Sequence, residues 1–358
     1  MAENEFWILA LSGGGARGLF TAKVLEKMEE VVGSPLASRF DLIAGTSVGG
    51  VLALGLAKEI PAKELVGLFE HDKEIFAPRC RLFPWPIFKT KYKADALKIL
   101  LSDEKCFGKT LIGELKHRVI IPAINYTKGT PSFFKTPHHH TFRTDWQYQL
   151  VDVALASAAA PTYFPIYGFA DQHFVDGGLV ANAPGLIAVH EALHFVGHPK
   201  VDSIHVVSVG TAGQGTAMDT SASNNMGILS SFMGFKSQRS CIFHKMAYAI
   251  KNWKDWGFRK GWGFRLFDLT INSQEAMSYS MLSHWLKNRH HLIDTNPQKE
   301  QIKYLGLDDV SDAARKARLG QAAIAVQNLL TPELINSIRD HVPGEAMFFY
   351  GPNKNTPD

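Results

Sequence analysis

Two apolar runs that each end in a glycine-bounded turn constrain this chain more than any other feature. Phe6 to Leu11 leads through Ser12 into Gly13-Gly14-Gly15-Ala16-Arg17-Gly18, and Phe40-Asp41-Leu42-Ile43-Ala44 leads into Gly45-Thr46-Ser47-Val48-Gly49-Gly50. A short continuous apolar run closed by glycine reads as a buried strand ending in a tight turn. Helical spacing follows the first turn, with Leu19, Val24, Leu25, Met28 and Val32 apolar among Lys23, Glu26, Lys27, Glu29 and Glu30. After the second turn, Val48 to Lys58 reads as a buried helix. Strand followed by helix over the first two hundred residues predicts an α/β fold with a largely parallel sheet. Both turns then lie at carboxyl ends of strands, where open sheets of this class place their ligands.

Further elements follow from the same patterns. Pro61 fits the first position of a helix running to about Phe76. Val119 to Asn125 and Ser132 to Thr136 read as strands that form a pair. Val151 to Ala160 reads as a helix ending before Pro161. His173-Phe174-Val175 reads as a strand entering Asp176-Gly177-Gly178, and Asn182-Ala183-Pro184 opens a helix to about Phe195. Ile204 to Val209 is a further buried strand. Gly213 to Asn225 is small and polar, a linker or loop by composition. Helical segments rich in tryptophan and basic residues run from about Met226 to His291, and Ser311 is placed to cap a helix to about Leu330. The expected division is a core over 1–211 and a mostly helical region over 212–358 packed on it. The proline- and aromatic-rich run Leu82 to Phe88 reads as a loop and stands open between a lid, a membrane wedge and a buried cap.

Charge and cysteine content exclude little but set a direction. Thirty-eight basic against 34 acidic residues give +4, too mild to point to nucleic acid. It is compatible with approach to an anionic lipid surface. Three cysteines without a Cys-x-x-Cys pattern read as a reduced, intracellular protein. The acidic start lacks a basic leader, and the longest uncharged apolar stretch, Leu42 to Ala57, contains the serine turn. The expectation is a cytoplasmic chain whose membrane contact is peripheral.

The chemistry concentrates at the two turns. Gly45-Thr46-Ser47-Val48-Gly49 between strand and helix has the form of a nucleophile elbow, where small neighbours let a strained turn expose the serine oxygen. A glycine loop before a helix offers backbone N–H groups to an anion such as a tetrahedral intermediate. The same loop satisfies Gly-x-Gly-x-x-Gly, so a dinucleotide-binding protein is the competing class. That reading wants an acidic residue at the end of the second strand, whereas Asp41 stands at its beginning. Ser47 alone would also serve as a helix cap. A nucleophilic serine needs a base. His190, His194, His198 and His205 follow it without distinctive context. His138-His139-His140 suggests metal by composition, but lacks spaced partners and reads better as a solvated loop. Asp176 is the better candidate base, because it sits after an apolar strand and before two glycines and its carboxylate would face a cleft from a tight turn, although Asp-Gly-Gly is also a common turn.

Taken in order, Gly13 to Gly18, Gly45 to Gly50, Ala158-Ala159-Ala160-Pro161 with Phe164-Pro165, Asp176-Gly177-Gly178 and Asn182-Ala183-Pro184 resemble the patatin-like phospholipase family over about Phe6 to Thr211. The resemblance implies a three-layer α/β/α fold and hydrolysis of phospholipid acyl esters by a Ser–Asp dyad without histidine. It makes Ser47 the nucleophile and Asp176 the general base. Gly13, Gly14 and Gly15 form the oxyanion hole, with the N–H groups of Gly14 and Gly15 as donors. Arg17 either braces the site or forms a surface ion pair. Gly18, Gly45, Gly49, Gly177 and Gly178 complete the motifs, and neither metal nor cofactor is implied. Trp7 to Ser12 and Tyr304-Leu305-Gly306-Leu307-Asp308-Asp309-Val310 resemble a narrower bacterial group, the cyclic-nucleotide-activated phospholipases of anti-phage (CBASS) systems. That implies a cyclic di- or trinucleotide activator and membrane phospholipid as substrate, degraded at the inner face of the host cell's own membrane. It implies no DNA or RNA partner, and it is compatible with a homo-oligomer on activation. Lys236, Arg239, Arg259 and Lys260, amid Trp253, Trp256 and Trp262, are candidates for the anionic nucleotide. The same cluster fits a solvated basic face or contact with anionic lipid.

Overall fold

A computed structural model of the 358-residue chain describes residues 5–78, 90–197, 200–213 and 262–356. In chain order, β1 (Phe6–Leu11) leads to α1 (Gly18–Val32), β2 (Leu42–Gly45) and α2 (Val48–Ala57). The short helices α3 (Ala62–Gly67), α4 (Asp72–Ile75) and α5 (Asp95–Leu101) follow. The hairpin of β3 (Val119–Asn125) and β4 (Thr130–Lys135) then precedes α6 (Leu150–Ser157). Next come β5 (Tyr167–Phe169), β6 (Gln172–Asp176), α7 (Gly178–Ala181), α8 (Gly185–Glu191) and β7 (Ile204–Val209). The final part holds α9 (Trp262–Leu286), β8 (His290–Ile293), α10 (Lys299–Ile302), α11 (Asp312–Leu329) and α12 (Pro332–Asp340).

These strands form one sheet in the order β5-β6-β3-β2-β1-β7-β8, with β4 pairing β3 outside that path. β8, β7, β1, β2 and β3 run parallel, while β4 and β6 are antiparallel to β3. The period-2 geometry of β1 explains why its run is apolar throughout. Trp7, Leu9 and Leu11 enter one core with α1, α2, α6, α11 and α12, and Phe6, Ile8 and Ala10 enter the other with α8 and α9. Helices thus cover both faces, giving the expected three layers.

The structure departs from expectation at identifiable places. Pro61 is the cap before α3 rather than its first residue, and the helix expected to reach Phe76 is broken into α3, a 3-10 turn and α4. The sheet crosses the 211/212 division, because β8 hydrogen-bonds to β7 with Val206 opposite His290 and Val209 opposite Ile293. His138 is not solvated. It is 4% exposed, its Nε2 lies 2.9 Å from Glu191 Oε1, and Lys135 Nζ donates to Glu191 Oε2 at 2.6 Å. This buried pair ties β4 to α8. Leu82 to Phe88, the Gly213 to Asn225 linker beyond Gly213, and the basic candidates Lys236, Arg239, Arg259 and Lys260 lie outside the described residues. Among the described residues, no helix is long and apolar enough to cross a membrane.

Leu282 of α9 is fully buried against the β1 and β7 face and touches Gly185 of α8. Leu282→Ala is expected to lower unfolding stability by about 2–5 kcal/mol in a denaturant titration with an unchanged slope. A loss below about 1 kcal/mol would contradict this packing.

Candidate active site

The register of the sheet brings two distant turns together. Ala44 of β2 lies opposite Ile120 of β3, and Asp176 of β6 lies opposite Ala123 three residues further along β3. Ser47 is three residues past Ala44, so it reaches the level of Asp176 on the other side of β3. Ser47 Oγ donates to Asp176 Oδ2 at 2.7 Å. The other carboxylate oxygen accepts the Gly178 N–H at 2.6 Å, which fixes the rotation of the side chain.

The turn at Ser47 is strained, with φ 55° and ψ −125°, a region that side-chain-bearing residues rarely adopt. Its surroundings hold it there. The Ser47 N–H donates to Ser157 Oγ at 2.9 Å, and Ser157 Oγ donates to the Pro122 carbonyl at 2.7 Å. Gly49 permits a close approach: a Cβ at that position would sit 2.3 Å from the Leu11 carbonyl oxygen. Gly45 ends β2, and Gly177 donates to the Ser157 carbonyl at 3.2 Å. The residues of the elbow therefore bind three strands to one another as well as exposing an oxygen.

The glycine loop lies alongside. The Gly13 N–H donates to the Asn182 carbonyl at 3.0 Å, so Gly13 has no free donor for an oxyanion, contrary to its place in the expected set. Among the described residues, no acceptor engages the N–H groups of Gly14 or Gly15. Gly15 has φ 55°, and a Cβ there would lie 2.4 Å from the Leu307 carbonyl oxygen, which accepts the Ala16 N–H at 2.8 Å. Gly18 opens α1. Arg17 is 3% exposed, which removes the surface ion-pair alternative. Its charge opposes the rise that burial imposes on the carboxyls of Glu275, Asp294 and Asp268.

Further polar side chains hold the loop. Asn182 Nδ2 donates to the Gly13 carbonyl at 3.2 Å and to Glu275 Oε2 at 3.1 Å. The Asn182 N–H donates to Gln274 Oε1 at 2.5 Å. Tyr279 Oη donates to Glu275 Oε1 at 2.9 Å and lies 2.7 Å from Ser12 Oγ. Helix α9 thus grips the glycine loop through buried polar side chains. Ser157 and Asn182 stand within or beside the quoted motifs, but Glu275 and Tyr279 are single polar residues of a long helix.

An apolar pocket opens over this constellation, with Val48, Val51, Leu52, Leu97, Leu101 and Phe164 among its walls, and Gly14, Gly15, Ser47 and Asp176 also line it. Such a lining suits a long acyl chain with its ester at Ser47. Of the candidate histidines, His205 stacks on Trp7 and His190 lies against His194, and neither bonds Ser47 or Asp176. Asp41, the acidic residue weighed for a ribose, instead accepts from the N–H groups of Trp7 and Gly344 at the opposite end of β2.

Burial drives the Asp176 carboxyl from its ordinary range up to about 7, against the lowering effect of its bonds from Gly178 and Ser47. The ionised form accepts the Ser47 proton and the protonated form does not. The rate of Ser47 labelling by a fluorophosphonate is therefore expected to fall on acidification, with an acid limb near pH 7. A rate that stays flat from about pH 5.5 to 8.5 would contradict a carboxylate acceptor.

Residues 9–189 match the family described as Patatin-like phospholipase. The chain is 42% identical to a cGAMP-activated phospholipase of Pseudomonas aeruginosa, across 99% of this chain and 97% of that protein. It is 38% identical to a cGAMP-activated phospholipase of Vibrio cholerae, across 62% of this chain and 68% of that one. A cUMP-AMP-activated phospholipase of Escherichia coli is 30% identical, across 58% of this chain and 65% of its own length. By the family match and the near full-length identity, the chain belongs to the patatin-like phospholipases, hydrolases of lipid esters.

Proposed function

We propose that this chain is a phospholipase that cleaves acyl esters of membrane phospholipids through a Ser47 acyl-enzyme, and that a cyclic oligonucleotide switches it on. The observation that carries the hydrolytic part is the 2.7 Å bond from Ser47 Oγ to a buried Asp176, beneath an apolar pocket. Ser47 Oγ attacks the acyl carbonyl carbon while its proton passes to Asp176. The carbonyl oxygen becomes an oxyanion between the N–H groups of Gly14 and Gly15. Collapse of this intermediate breaks the ester bond, and the lysophospholipid oxygen leaves with the proton from Asp176. Water then attacks the acyl-enzyme with Asp176 again taking the proton, and the fatty acid departs from Ser47. Nucleophile and base both come from the chain, and no metal or organic cofactor has a part in this scheme.

Gating is supported by the 42% identity along 99% of the chain to a protein named for activation by cGAMP. The activators named for the relatives differ, cGAMP in two and cUMP-AMP in another, so the activating nucleotide belongs to the experiment. In this reading the enzyme is cytoplasmic, acts at the inner face of the cell membrane, and serves as an anti-phage effector that damages its own host. DNA and RNA have no role in it.

Fatty-acid release from phosphatidylethanolamine–phosphatidylglycerol vesicles tests both parts. Release is expected only with one of the cyclic nucleotides, and Ser47→Ala or Asp176→Asn should each lower it by about 1,000-fold or more. Release that survives Ser47→Ala would remove the dyad, and equal Ser47-dependent release without nucleotide would remove the gating.

A further inference from the structure

An oxyanion hole works only if its N–H groups face the developing charge before it forms. Three glycines in a row set no such direction by themselves, because a peptide between glycines turns over at little steric cost. Each donor peptide of this loop is held by its carbonyl. The Gly14 carbonyl accepts the Arg17 N–H at 3.0 Å, so the peptide carrying the Gly15 N–H is fixed from within the loop. The Gly13 carbonyl accepts from Asn182 Nδ2 at 3.2 Å, and among the described residues no other donor reaches it. The Gly13 carbonyl and the Gly14 N–H belong to one trans peptide and point in opposite directions. The bond from Asn182 therefore sets the direction of the Gly14 N–H. A Cβ at Gly13 would lie 3.2 Å from Ser47 Cβ, so this peptide stands directly beside the nucleophile.

The Asn182 carboxamide is itself locked. Its Nδ2 donates a second time, to Glu275 Oε2 at 3.1 Å, and Glu275 Oε1 accepts from Tyr279 Oη at 2.9 Å. Asn182, Glu275 and Tyr279 are all buried. Turned over, the carboxamide would set Oδ1 against the Gly13 carbonyl and the Glu275 carboxylate, oxygen against oxygen at both contacts. In the observed orientation Oδ1 is buried with no partner among the described residues. It packs instead on two glycines, since a Cβ at Gly13 or Gly178 would lie 2.4 or 3.0 Å from it. The side chain thus leaves its own acceptor unpaired, a cost in stability, while its donor serves two acceptors.

We propose that Asn182, oriented by Glu275 of α9, is a positioning residue for the hydrolytic step: its carboxamide keeps the Gly13–Gly14 peptide turned so that the Gly14 N–H meets the oxyanion. The inference rests on the Ser47 acyl-enzyme reading. Neither Asn182 nor Glu275 reacts with the substrate. Without the carboxamide the peptide is free to turn its carbonyl toward the oxyanion, where the carbonyl dipole repels the charge.

The test follows a fluorophosphonate reacting with the full chain, because its phosphoryl oxygen takes the place of the oxyanion. Two quantities are read, the rate constant of labelling and the final fraction of Ser47 labelled. Asn182→Ala is expected to lower the rate constant by about 100-fold, the value of one oxyanion donor, with the final fraction at the wild-type level. A general disturbance of the fold would lower the fraction instead. Glu275→Leu removes the acceptor and keeps most of the volume, and should lower the rate constant by about 10-fold. Glu275→Gln retains an acceptor for Asn182 and should stay within about 3-fold of the wild type. A crystal structure of Asn182→Ala is expected to show the Gly13–Gly14 peptide turned over or in both orientations. A wild-type rate constant in Asn182→Ala, a loss confined to the final fraction, or an unturned peptide in the slow variant would overturn the positioning role and leave the Ser47 reading intact. Equal rate constants for the two Glu275 variants would overturn it too, and this pair decides the matter if Asn182→Ala does not fold. A wild-type chain that takes up no label at Ser47 would overturn the Ser47 reading and this inference together.

Discussion

The hydrogen bond between Ser47 Oγ and Asp176 Oδ2 can form only if the end of β2 and the end of β6 arrive at the same level on either side of β3. The sheet order supplies that arrangement, and burial gives it chemical meaning. An aspartate in water is too weak a base to take a proton from serine, whereas burial moves Asp176 up to about 7. The cost appears in folding. A carboxyl whose folded value is raised contributes stability that is full below its unfolded value, near 4, and is lost as pH rises through about 7. The form needed for proton transfer is thus the one that burial disfavours.

The glycine loop is held from the far end of the chain as well as from the sheet. Asn182 binds both backbone groups of Gly13, and α9 in turn binds Asn182 through Gln274 and Glu275. The Leu307 carbonyl takes the Ala16 N–H, and Asp308, next in sequence, accepts from Tyr92 Oη at 2.6 Å. Residues beyond 261 therefore position the loop that carries the two open N–H groups. A catalytic core ending at 211 would lack those contacts and the β8 edge of its sheet.

The parts legible in the sequence are those whose signal is local. Continuous apolar runs mark β1, β2 and β7, and glycine spacing marks the elbow at Ser47. Ser311 caps α11 as its position suggested, accepting the Ala314 N–H at 3.2 Å. Asp176 is less legible, because Asp-Gly-Gly serves equally as a turn, and only the bond from Ser47 separates the two readings. Three glycines in a row look alike in sequence, and only the contact with Asn182 separates Gly13 from Gly14 and Gly15. β5 and β8 span three and four residues, too short to show periodicity, and β8 begins with two histidines. His138 looks solvated among its neighbours and is buried because Glu191, 53 residues away, meets it. Tyr279 meets Ser12 across 267 residues, a pairing that no local pattern encodes.

The central claim is that one serine, served by one aspartate, carries the acyl group between ester and water. Acid quenching during turnover on phospholipid, followed by peptide mass spectrometry, tests it most directly. The account predicts a fatty-acyl adduct on the peptide containing Ser47, absent from Ser47→Ala. An acyl adduct on a different residue, or sustained turnover by the Ser47→Ala chain with no Ser47 adduct in the wild type, would contradict it.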